Sequence, residues 1–121
     1  MPKLPDSVQE IIIDRDYRCS NINYLPNELK TLIITPFGNF GCLNGKINFL
    51  PDGLKVLSLD SMYLHTINTK LPDSLIYLRV GKETILRYRK LPKNLRFLIQ
   101  YYGAIKFRPE EIPKDVITIY L

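Results

Sequence analysis

The chain has 121 residues, of which 45% are hydrophobic and 24% charged, the balance of a folded globular domain rather than a disordered or fibrous one. No stretch approaches the roughly 18 apolar residues of a membrane span, and the opening MPKLPDSVQE lacks the apolar run of a secretory signal, so one cytoplasmic domain over residues 1–121 is expected. The net charge of +5 is uneven: residues 1–69 hold six Lys/Arg against seven Asp/Glu, whereas residues 70–121 hold eleven against five.

An apolar residue followed by proline recurs along the chain at Leu4-Pro5, Leu25-Pro26, Leu50-Pro51, Leu71-Pro72, Leu91-Pro92 and Ile112-Pro113. The steps are 21, 25, 21, 20 and 21 residues, a period that marks a stacked repeat architecture. In chain order the segments read LPDSVQEIII, LPNELKTLII, LPDGLKVLSL, LPDSLIYLRV, LPKNLRFLIQ and IPKDVITIYL. Each predicts a turn followed by a short strand. Proline cannot donate to a ladder and suits the entry to the strand, and Asp-Ser, Asp-Gly and Lys-Asn after it are turn residues.

Within each strand two positions separated by one residue are apolar: Ile11 and Ile13, Leu32 and Ile34, Leu57 and Leu59, Leu78 and Val80, then Leu98 with Gln100, and Ile119 with Leu121. Residues two apart on a strand share a face, so these pairs should point inward. Only Gln100 breaks the column. One such strand cannot make a core, but six in parallel can, with return segments of about ten residues closing the other side. That length favours extended or 3-10 returns over α-helix. Their apolar residues, Ile22, Tyr24, Phe40, Leu43, Ile47, Phe49, Leu64, Ile67, Ile85, Ile105 and Phe107, should fill the convex side. The longer second step falls in TPFGNFGCLNGKINFLP, where Pro36, Gly38, Gly41 and Gly45 indicate a looped excursion.

The run L-x-x-L-x-L, as in Leu29 to Ile34 and Leu54 to Leu59, with its L-P-x-x-L lead-in, resembles the leucine-rich repeat. The short step is similar to the FNIP-type repeats of amoebae and giant viruses, through Leu71 to Ile76 and Phe37-Gly38-Asn39-Phe40, and to the short repeats of bacterial effectors. The asparagine that usually follows the strand in such repeats is replaced by Asp16, Phe37, Met62, Glu83 and Gly103. The resemblance implies a leucine-rich-repeat solenoid of the α/β horseshoe class: a curved parallel sheet of about six short strands with little or no α-helix, used for protein recognition.

The residues between the inward pairs should line the concave face. From the N-terminal end the rows read Glu10, Ile12, Asp14; Thr31, Ile33, Thr35; Val56, Ser58, Asp60; Tyr77, Arg79, Gly81; Phe97, Ile99, Tyr101; and Thr118, Tyr120. Tyr77, Arg79, Phe97, Ile99, Tyr101 and Tyr120 form an aromatic-arginine cluster with the composition of a binding hot spot, so a protein partner is expected there. The last strand, with Ile117, Ile119 and Leu121, is an edge at which a second copy could pair, so a homo-oligomer is a further expectation.

Arg79, Lys82, Arg87, Arg89, Lys90, Lys93 and Arg96 lie near Tyr77, Tyr88 and Phe97 in sequence, a pattern that can also bind nucleic acid or another polyanion by charge and stacking. They are expected on different faces, which makes this the second reading. Catalysis is not expected. Cys19 and Cys42 read as packed thiols, His65 stands alone, Asp14 and Asp60 read as solvated, and no glycine-rich phosphate loop or metal-ligand spacing calls for a cofactor.

Overall fold

A computed structural model describes residues 4–13, 25–35, 45–59 and 65–121. The looped excursion after Thr35, Cys19, Cys42, Asp14, Asp60 and the return residues Ile22, Tyr24, Phe40, Leu43 and Leu64 lie outside the described residues.

The six lead-in segments fold alike. In each, the amide of the fifth residue donates to the carbonyl of the proline: Val8 to Pro5, Leu29 to Pro26, Leu54 to Pro51, Leu75 to Pro72, Leu95 to Pro92 and Val116 to Pro113, at 3.1–3.2 Å. Proline loses nothing here, because it serves only as an acceptor. Each turn launches a strand: β1 (Glu10–Ile13), β2 (Thr31–Ile34), β4 (Val56–Leu59), β6 (Tyr77–Arg79), β8 (Phe97–Gln100) and β9 (Ile117–Tyr120). These six pair side by side, all parallel, in the order β1-β2-β4-β6-β8-β9.

Three return segments add short strands, β3 (Gly45–Ile47), β5 (His65–Ile67) and β7 (Ile85–Leu86), which pair in parallel as a second sheet. The molecule is therefore a parallel-sheet solenoid. The helix among the described residues is a single 3-10 turn, Pro109–Glu111, in the last return.

The core lies between the two sheets. Leu32, Ile34, Leu57, Leu59, Leu78 and Leu98 are fully buried on the first sheet, and Leu29, Leu54, Leu75 and Leu95 close the turn side. Ile47, Ile67 and Phe107 come from the returns to meet them. Each fully buried aliphatic side chain contributes about 1.5–3 kcal/mol of transfer free energy. In the fourth return the register aligns Ile67 with Leu86, so Leu86 packs on the core while Ile85 faces solvent, reversing the expectation for Ile85. Phe49 and Ile105 are exposed as well.

Gln100 occupies an aliphatic column and is fully buried. Its amide nitrogen donates to the Phe107 carbonyl at 2.9 Å, and its Oε1 accepts from the Lys106 and Phe107 amides at 3.0 and 3.1 Å. The last return pairs with no strand, and the Gln100 side chain hydrogen-bonds its backbone at Lys106 and Phe107 instead. Polar side chains also join adjacent repeats: Ser74 Oγ donates to the Leu54 carbonyl at 2.6 Å, and Asn94 Nδ2 to the Asp73 carbonyl at 2.8 Å.

The sixth strand departs from the repeat. Through β8 the aligned positions pair with one another: Leu57 with Leu78, and Leu78 with Leu98. In β9, Leu98 pairs with Thr118 instead of Ile119, and Gln100 with Tyr120 instead of Leu121. The backbone bonds agree. Arg96 and Phe97 both donate to the Ile76 carbonyl, whereas at the Arg96 carbonyl Ile117 is the donor, one position early. A slip of one residue exchanges the two faces of a strand. Ile117, Ile119 and Leu121 are 57%, 44% and 52% exposed, and Thr118 and Tyr120 turn toward the core side. The sequence expectation that Ile119 and Leu121 point inward is corrected by this register.

Candidate binding surface

The outward face of the first sheet is built from two aligned rows. One runs Glu10, Thr31, Val56, Tyr77, Phe97, Ile117, and the other Ile12, Ile33, Ser58, Arg79, Ile99, Ile119. Neighbouring strands in a sheet stand about 4.8 Å apart, so residues within a row are neighbours on the face. At the N-terminal end polar residues break the rows. From Val56 onward the first row carries only apolar or aromatic side chains, and the second continues from Arg79 through Ile99 to Ile119. The strand slip thus brings Ile117 and Ile119 onto the same face as Tyr77, Phe97 and Ile99.

Arg79 stands in the middle of this patch, partly buried, and its position is braced. Its Nη2 donates to the Tyr101 hydroxyl at 2.6 Å, and its guanidinium carbon lies 5.8 Å from the Tyr101 ring centroid. Lys82 approaches the same ring, its Nζ 5.6 Å from the centroid. Tyr101 itself is only 8% exposed and bridges to Ala104 where the chain turns. It supports the surface from beneath instead of presenting its ring to a partner.

Tyr120 is not on this face. Its ring stacks on exposed Tyr102, with centroids 5.1 Å apart and planes 21° from parallel. The Tyr102 amide donates to the Leu121 carbonyl at 3.1 Å, which ties this corner to the end of the strand. Of the six residues expected to gather, the structure brings together Tyr77, Arg79, Phe97 and Ile99, sets Tyr101 behind Arg79, and moves Tyr120 aside. Ile117 and Ile119 join the face through a register that the repeat alignment does not reveal.

The basic residues of the C-terminal half divide between surfaces. Arg79 belongs to the sheet face. Arg96 pairs with Asp115 at 3.3 Å near the strand entry. Arg89 donates to the Lys106 carbonyl, pairs with Glu111 at 3.4 Å and lies over the Phe107 ring at 5.8 Å, so its half-exposed side chain is anchored to the last return. Arg89 also lines, together with Lys70, Arg87, Tyr88, Lys90 and Lys93, one open cleft of about 790 Å³ on the return side, with Asp73 at its rim. Arg87, Tyr88, Arg89, Lys90 and Lys93 are close in sequence, and Lys70 is the basic member that separation along the chain concealed. Lys70 precedes one turn and Lys93 belongs to the next, 23 residues on, and only stacking sets them around the same return segment.

His65 is the first residue of β5. No helix among the described residues is long and apolar enough to cross a membrane. Comparison of the chain with known protein families, curated proteins and solved structures gives no match.

Proposed function

We propose that this chain is a leucine-rich-repeat module of the short FNIP-like type, acting in the cytoplasm without catalysis, and that it binds a partner protein through the outward face of β6, β8 and β9. The repeat signature L-x-x-L-x-L behind L-P-x-x-L supports the family reading. The functional reading rests on one observation: Tyr77, Phe97, Ile99, Ile117 and Ile119 form a continuous apolar patch around a braced arginine. Aromatic residues and arginine dominate the binding energy of protein interfaces, and a contiguous apolar surface of this kind marks an interaction site. Exposed Ile117, Ile119 and Leu121 give the same region the means to self-associate, so a second copy is one of the partners proposed.

The test compares wild type with a Phe97→Ala, Ile119→Ser variant in affinity capture from cell lysate and in sedimentation at high micromolar concentration. The reading requires that specific partners, or a concentration-dependent dimer, be lost from the variant. Identical capture by both proteins, together with a strict monomer in both, would remove this face as the site.

A further inference from the structure

The return-side cleft is a separate surface from the sheet face, and its composition points to a different ligand. Lys70, Arg87, Arg89, Lys90 and Lys93 surround it, with Asp73 the carboxylate at its rim. Asp73 approaches Lys93 only at 3.9 Å, and both side chains are more than 70% exposed. Lys70, Arg87 and Lys90 have no carboxylate within ion-pair distance among the described residues. Three of its five cations thus stand without an ion pair among the described residues.

Arg89, the fifth cation of the cleft, reaches Glu111, and outside the cleft Arg96 and Arg108 also reach Asp or Glu. Lys70, Arg87 and Lys90 contrast with these paired arginines. Its frame is fixed: the Arg87 amide donates to the Ile67 carbonyl at 3.1 Å, and Leu71 and Pro92 in the wall are buried. Between the cations stands Tyr88, with 43% of its surface exposed.

We infer that this cleft binds a phosphate-bearing ligand with a planar base, the cations taking the phosphates and the Tyr88 ring stacking on the base. An open cleft of about 790 Å³ has room for a nucleotide-sized molecule. Uncompensated Lys and Arg supply phosphate affinity, and an aromatic ring adds stacking that tolerates any base. The same chemistry is offered by a free nucleoside triphosphate and by a nucleotide within a single strand.

Three probes separate these sources: adenosine triphosphate, a fluorescein-labelled single-stranded oligonucleotide of mixed sequence, and inorganic tripolyphosphate, each titrated at low salt. Wild-type protein should bind a base-bearing probe more tightly than tripolyphosphate. Binding to the oligonucleotide well beyond triphosphate identifies a strand, and comparable affinities identify a free nucleotide. Arg87→Gln with Lys90→Gln should weaken binding about tenfold and flatten the log–log salt dependence for the oligonucleotide by about 1.4, or about 0.7 for each phosphate no longer neutralised. Tyr88→Leu should weaken the base-bearing probes about tenfold and leave tripolyphosphate unchanged. Lys30→Gln with Lys55→Gln removes the same charge away from the cleft and should change affinity less than twofold. The inference is overturned if no probe binds, if tripolyphosphate binds as tightly as the base-bearing probes, or if the distant pair weakens binding as much as the cleft pair. All the substituted side chains are exposed, and an unchanged circular dichroism spectrum confirms that each variant is folded.

Discussion

Gln100 and Phe107 exchange two hydrogen bonds: the glutamine amide donates to the phenylalanine carbonyl at 2.9 Å and its oxygen accepts from the phenylalanine amide at 3.1 Å. The Lys106 amide adds a third bond to the same oxygen. Gln100→Leu would restore the aliphatic column seen in the other repeats, yet it would strand these backbone groups in a buried setting. We expect a loss of about 3 kcal/mol, since each unsatisfied buried group costs about 1–3 kcal/mol. Urea denaturation measures it, and a neutral or stabilising effect would show that the last return does not depend on this side chain.

The bond from Arg79 to Tyr101 predicts energetic coupling. Tyr101→Phe keeps the ring and removes the hydroxyl, and should cost about 1–2 kcal/mol because the bond is charge-assisted. In a double-mutant cycle with Arg79→Ala the coupling should be on the order of 1 kcal/mol. Strictly additive losses would mean that the hydroxyl does not brace the arginine.

The register of β9 is open to a direct comparison. If Ile119 faces outward, Ile119→Ser should lower stability by less than about 1 kcal/mol, the range of surface substitutions. Leu98→Ala, at a fully buried position one strand away, should cost about 2–5 kcal/mol. Equal losses at the two sites would place Ile119 inside and reject the slip.

Neighbouring residues in the fourth return make a similar pair. Leu86→Ala should cost about 2 kcal/mol because its side chain packs on the core. Ile85→Ser, at a position 57% exposed, should be within about 0.5 kcal/mol of wild type. Thermal melts of the two variants decide this, and the reverse order would shift β7 by one residue.

These last two cases show where the sequence stops being informative. Columns such as Leu32, Leu57, Leu78 and Leu98 were legible because apolar and polar residues alternate, so burial pins a single register. The final strand reads Ile-Thr-Ile-Tyr-Leu and carries substantial apolar surface on both faces. Burial then discriminates weakly between registers, and alignment to the repeat is no guide. Ile85-Leu86 is the same problem in two residues: both are apolar, and only pairing with Thr66 and Ile67 decides which is inside.

The candidate face was partly legible for the same reason. Tyr77, Phe97 and Ile99 followed from counting along regular strands. Tyr101 lies past the end of β8, where a bridge to Ala104 turns the ring under Arg79, and no periodicity governs that corner. The basic cleft was legible in part: Arg87, Tyr88, Arg89, Lys90 and Lys93 stand together in the sequence as a basic, aromatic run, whereas Lys70 and Asp73 join them only through stacking.

The cross-repeat bonds have a mechanical consequence. Ser74 to Leu54, Asn94 to Asp73 and Thr35 to Ile13 each join residues 20–22 apart, and the strands pair only with adjacent strands. Tension applied between the two ends of the chain is carried in series by the ladders, with no clamp spanning the stack among the described residues. Force should therefore peel the protein from an end, one rung at a time. Each rung of 20–25 residues frees about 70–85 Å of contour length at about 3.4 Å per residue, so a pulling trace should show evenly spaced small steps instead of one large rupture.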